Sequence, residues 1–111
     1  MPYSQGDIVL VKLPFSDLES GKVRPAIVVS GKQMQKTRDV ILAALTTNIR
    51  NDHFSFVIQP RSLSHSLRNS EVRCNKLFTC DKGIIQKAIS KLDKPSVKIL
   101  LKKIRDNFEE E

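Results

Sequence analysis

The sequence predicts a mainly β protein of the α+β class, a small, partly open barrel of SH3-like type with helices on its edge. Three observations carry this. Short β-branched runs separated by turn residues fill roughly the first eighty positions. Glu71 to Thr79 alternates with a period of two. The remaining thirty or so residues carry apolar side chains at helical spacing.

Taken in order, Ile8 to Leu13 is a β-branched run with Lys12 as its one charge, ended by Pro14, which cannot donate to a ladder. A polar loop follows, closed by Gly21, and Ala26 to Ser30 forms the second strand. Gly31 to Asp39 is polar and basic, a long loop or one short helical turn. Val40 to Thr47 is apolar throughout and reads as a central strand, and after a turn Phe54 to Gln59 reads as the fourth. Pro60 to Asn69 is a Ser/Arg-rich loop. In the next strand Val72, Cys74 and Lys76 share one side, and Glu71, Arg73 and Asn75 the other. Asp81 stands where an N-cap would, ahead of Ile84, Ile85, Ala88, Ile89 and Leu92 at helical spacing. Asp93 or Ser96 caps a last helix around Pro95, whose stripe is Val97, Leu100, Leu101, Ile104 and Phe108.

A chain of 111 residues suffices for one domain, 1–111, with its own core. The formal charge of +7 and pI near 9.7 favour a polyanionic partner: nucleic acid, an acidic protein or an anionic membrane. Residues 1–81 carry 11 basic and 7 acidic side chains and residues 82–111 carry 8 and 5, so no basic tail accounts for the excess. The longest apolar stretch, Val40 to Leu45, falls far short of the ~20 residues of a membrane helix. No leader precedes it, and a soluble cytoplasmic protein is expected. Cys74 and Cys80 are the only cysteines, which suits a reducing compartment, and their spacing supports no metal site. No cofactor is expected.

Arg24 is the first candidate for chemistry. A guanidinium holds two phosphate oxygens at once, and Pro25 restricts Arg24 to extended conformations that aim it from a defined backbone. The alternative is a structural arginine paired with Glu19 or Asp17. Thr46 and Thr47 end the third strand, either as β-branched filler or as hydroxyl donors. Arg73 is a second guanidinium, or a solvated strand charge facing Glu71. His53 and His65 are the only imidazoles, and both fall in polar loops without supporting motifs. Phe15 and Phe54 flank loops and suit either stacking on a base or core packing.

Several runs together resemble the MazF/PemK family of toxin endoribonucleases. They are Gly6-Asp7-Ile8-Val9, Pro14-Phe15-Ser16-Asp17, Arg24-Pro25-Ala26-Ile27, Ala43-Ala44-Leu45-Thr46-Thr47-Asn48, Ser70-Glu71-Val72-Arg73-Cys74 and Thr79-Cys80-Asp81. The resemblance implies a CcdB/MazF-type barrel and a metal-independent, sequence-specific endoribonuclease acting on single-stranded RNA. It implies Arg24 and Thr46 as catalytic residues, with Glu19, Arg73 and Asn75 in support. It leaves Phe15, Ser16, Lys22, Thr47, Asn48, Ser70 and Lys76 to bind RNA around the same end. It implies as partners a homodimer and a cognate acidic antitoxin, and no membrane. The chain departs from the PemK-type pattern in three places: Leu18 replaces a histidine, Asn75 an aspartate and Lys76 a glutamine. Asn75 can exchange hydrogen bonds but is no carboxylate base. The alternatives are a toxin of the same fold that binds RNA without cutting, and a CcdB-like gyrase poison. The latter relies on a C-terminal tryptophan, which this chain lacks.

Overall fold

A computed structural model describes residues 3–12 and 22–111. Among them six strands form one antiparallel sheet: β1 (Asp7–Lys12), β2 (Val23–Val28), β3 (Asp39–Thr46), β4 (Ser55–Val57), β5 (Glu71–Asp81) and β6 (Lys87–Lys91). Their order across the sheet is β4-β5-β3-β2-β1-β6, so apolar β3 is indeed interior, between β5 and β2. The sheet curls into a half-barrel. One helix, α1 (Lys94–Arg105), packs on one face.

Strand alternation builds two cores. Ile8, Ile27, Ala43, Leu45, Val72 and Cys74 point to the face that α1 covers with Val97, Leu100 and Ile104. Val9, Val11, Ala26, Val28, Leu42 and Ala44 point to the other face, where Ile85, Tyr3 and Phe78 pack against them. Asp93 is the cap of α1, its carboxylate accepting from the Ser96 amide at 3.0 Å. Of the expected apolar stripe, Phe108 departs: it falls in a single 3₁₀ turn beyond the helix and is exposed.

The segment after Asp81 corrects the sequence reading. Instead of a helix, Lys82–Ile84 makes one 3₁₀ turn, capped by the Asp81 carboxylate on the Gly83 amide at 2.7 Å. The chain then extends as β6 and pairs with β1, Asp7 opposite Lys91 and Ile8 opposite Ser90. The spacing of Ile85, Ile89 and Leu92 fits a helix locally. Pairing decides otherwise, because β1 would be left with an open edge that β6 closes. Gly6 stands at this junction with φ +96°, a conformation side chains rarely adopt. Its amide donates to the Val28 carbonyl at 2.8 Å and its carbonyl accepts from the Leu92 amide at 2.9 Å. A Cβ there would meet Val97 Cγ2 at 3.1 Å.

Candidate functional site

The register of β2 on β3 sets the site. Ala26 faces Ala44, Ile27 faces Ala43 and Val28 faces Leu42. Extending that register two residues past Pro25 brings Arg24 opposite Thr46. Ala26 and Ala44 both point away from α1, so by strand period Arg24 and Thr46 lie on that face too, as does Val11, paired with Arg24. Directly opposed residues in such a ladder have Cβ atoms roughly 4.5–5.5 Å apart. Arg24 is exposed and makes no hydrogen bond or ion pair with another described residue. Glu19, its family-implied neighbour, and the Phe15 and Ser16 candidates lie outside the described residues. Lys22 is exposed just before β2.

Thr46 is half-buried, and its Oγ1 accepts from the Asn48 amide at 3.0 Å. That bond occupies a lone pair and leaves the hydroxyl proton for donation to a ligand. Thr47 and Asn48 follow it, both exposed. On its other side Thr46 pairs with Glu71 of β5.

Glu71 anchors a buried polar cluster absent from the sequence reading. It is fully buried, and Oε1 accepts from the amides of Arg50 at 3.0 Å and Asn51 at 3.1 Å. Oε2 accepts from Ser55 Oγ at 2.8 Å and from Arg73 Nη1 at 2.6 Å. Arg73 also binds Asp52 through both terminal nitrogens, at 2.9 and 3.1 Å. The cluster ties the turn after Thr46 onto β5. Burial pushes the Glu71 carboxyl up, but the hydrogen bonds from Arg73, Ser55 and the two amides outweigh it and hold the group below its ordinary value. The Arg73 hydrogen bond lowers Asp52 to about 2. The bonds to Asp52 and Glu71 in turn raise Arg73.

Arg73 is therefore neither solvated nor poised to assist Arg24. Its side chain is 8% exposed and its charge is matched by two carboxylates. The reason is pairing: Arg73 sits opposite Ser55 of β4, under a turn that bends back over it. The tethering carboxylates have lower pKa values folded than unfolded. Their contribution to stability is thus full above the ordinary carboxylate range and is lost as pH falls through the folded values. For Asp52 that window runs from about pH 4 down to about pH 2. Thermal unfolding followed across it should show wild type losing stability steeply and Asp52→Asn less so; parallel curves would exclude the Arg73 contact as the cause.

Ser70 is buried and donates to the Arg68 carbonyl at 2.7 Å, so it braces its own loop and offers nothing to a ligand. Asn75 and Lys76 are exposed, where the β3–β5 ladder slips between Ala43 and Leu45. The histidines stand apart from Arg24. His65 donates its amide to Ser90, near Ile8 at the opposite end of β1, and its ring lies 3.0 Å from Ser64 Oγ. His53 stacks edge-on against Phe54 with centroids 5.2 Å apart, beside a small cavity lined by Cys74 and Lys103. Burial pushes the Cys74 thiol up to about 11, which leaves it unreactive. Among the described residues no three His, Cys, Asp or Glu side chains group to hold a metal, and no helix is long and apolar enough to cross a membrane.

Two signals for the missed cluster are present in the sequence. The Glu71-x-Arg73 spacing puts opposite charges on one strand face, and Asp52 caps its own turn through the Phe54 amide at 2.9 Å. Neither shows that the pair is covered.

A curled antiparallel half-barrel, one packed helix and a guanidinium facing a hydroxyl at one rim define a small protein class built to grip anions. The matching family model is the PemK-like, MazF-like toxin of type II toxin–antitoxin systems, aligned over residues 4–108. The chain belongs to that family. Similar solved structures include an endoribonuclease in complex with its cognate antitoxin from a mycobacterial species, 17% identical with TM-score 0.78 over 96% of this chain and 94% of that one. Mycobacterium tuberculosis toxin MazF-mt6 is 18% identical with TM-score 0.73, covering 92% and 95%. Deinococcus radiodurans MazF is 15% identical with TM-score 0.77, covering 97% of each. No curated protein matches the chain.

Proposed function

We propose that this protein is the toxin of a type II toxin–antitoxin module and cleaves single-stranded RNA without a metal ion. One observation carries the reading: the β2–β3 register sets Arg24 opposite Thr46 on an accessible rim. The 2′-hydroxyl of one nucleotide attacks the adjacent phosphorus in line, the bond to the 5′-oxygen breaks, and a 2′,3′-cyclic phosphate and a 5′-hydroxyl remain. The attacking oxygen loses its proton and the leaving oxygen gains one. Arg24 holds the non-bridging oxygens as charge builds on them, and Thr46 Oγ1 donates a hydrogen bond that fixes the phosphate or the 2′-oxygen. Asn75 is no base, and Glu71 is consumed in its cluster. Positioning and electrostatics therefore supply most of the barrier reduction. Thr47, Asn48 and the exposed turn beyond line the approach for splayed bases.

The positive surface suits an acidic, disordered antitoxin segment that folds as it binds, and the toxin acts in the cytoplasm as a homodimer. The mycobacterial endoribonuclease bound to its antitoxin supports this partnership. The engagement of Arg73 favours one other reading, a toxin that binds RNA without cutting it. Incubation with single-stranded RNA in excess EDTA separates the two. The expected result is chelator-resistant cleavage leaving cyclic-phosphate and 5′-hydroxyl ends. Tight binding with intact RNA would establish the second reading, and cleavage abolished by EDTA would overturn the mechanism.

A further inference from the structure

The β5 strand changes face partway along. Val72, Cys74 and Leu77 all point to the α1 side, whereas Phe78 and Cys80 pack on the other. Strict alternation cannot place Cys74 and Leu77 together, so the strand is bulged between them. The ladder agrees: Ala43 pairs with Leu77 and Leu45 with Val72, two steps on β3 against five on β5. Sequence alternation sets Lys76 with Val72 and Cys74. The bulge reverses it. Counting one step back from Leu77 sets Lys76 opposite Ala44, and Ala44 points to the Arg24 face.

Thr46 is two residues beyond Ala44, which makes it the diagonal neighbour of Lys76 at roughly 7–8 Å, within reach of a long side chain. Lys76 is exposed and makes no hydrogen bond or ion pair with another described residue. Arg73, three residues earlier on the same strand, is spent on Glu71 and Asp52. We propose that Lys76, re-aimed by the bulge, is the second cation at the phosphate held by Arg24, in the place the sequence reading assigns to Arg73. This rests on the RNA-cleaving reading of the site. An ammonium gripping a non-bridging oxygen shares the charge that develops there and releases a counterion on binding.

The test compares wild type with Lys76→Gln and Lys76→Arg. Single-turnover cleavage of a short RNA should fall about 10- to 100-fold in Lys76→Gln, and Lys76→Arg should recover most of it. A 2′-O-methyl RNA of the same sequence, which cannot be cut, gives the salt dependence of binding. Its log–log slope should lessen by about 0.7 in Lys76→Gln, with the melting temperature unchanged. If Lys76→Gln keeps both the wild-type rate and the wild-type slope while Arg24→Ala is inactive, Lys76 is only a solvated lysine and the nuclease reading stands. If wild type binds but never cuts, and the slope still lessens, the phosphate contact holds and the nuclease reading is lost. Wild type failing to bind the RNA overturns both.

Discussion

Arg24→Ala is expected to lower single-turnover RNA cleavage by about 10²–10³-fold, the usual cost of removing one preorganised group that stabilises transition-state charge. The protein itself should be indifferent to the change, because Arg24 is exposed and has no partner among the described residues. Melting temperature should therefore stay at the wild-type value. Arg24→Lys should recover only part of the rate, since an ammonium lacks the planar fork that spans two phosphate oxygens. Equal rates for wild type and Arg24→Ala on an end-labelled RNA would remove Arg24 from the site.

The second large effect is on folding. Glu71→Ala should cost about 3–5 kcal/mol in urea denaturation, because it leaves the buried Arg73 guanidinium short of a partner. The same change strips the Arg50 and Asn51 amides of their acceptor. The double variant Glu71→Leu, Arg73→Met should recover much of the loss, as apolar replacements often match a buried ion pair in stability. A double-mutant cycle over the two positions measures the coupling directly. A loss below about 1 kcal/mol for Glu71→Ala would mean that the pair is hydrated and contributes as surface ion pairs do.

This cluster also shows where sequence reasoning stops. Strand alternation in Glu71 to Thr79 identifies a strand, but not whether its polar side meets water. Here the turn after β3 folds back and covers Glu71 and Arg73. The charges read as a solvated face are the best-bonded polar groups in the chain. Ser70 misleads similarly, its hydroxyl turned inward to Arg68.

Local signals did better where local physics dominates. Pro95 in a first turn, a carboxylate cap and an i, i+3, i+4, i+7 stripe suffice to place α1, since capping and a buried face act within one helix. The apolar run at Val40 marked an interior strand. The Arg24-Pro25 pair and the threonines after Leu45 were recognisable as chemistry-bearing types before any coordinates.

By itself, then, the sequence determined the β-rich class, most strands, the terminal helix and the residue types able to hold a phosphate. Tertiary structure alone decided three matters: that residues 87–91 pair as a strand, that Arg73 is buried with two carboxylates, and that a bulge turns Lys76 toward Thr46. Each depends on which distant strand lies alongside. Hydrogen-bonded pairing between segments far apart in the chain overrides a local pattern whenever an edge or a buried charge would otherwise be left unsatisfied.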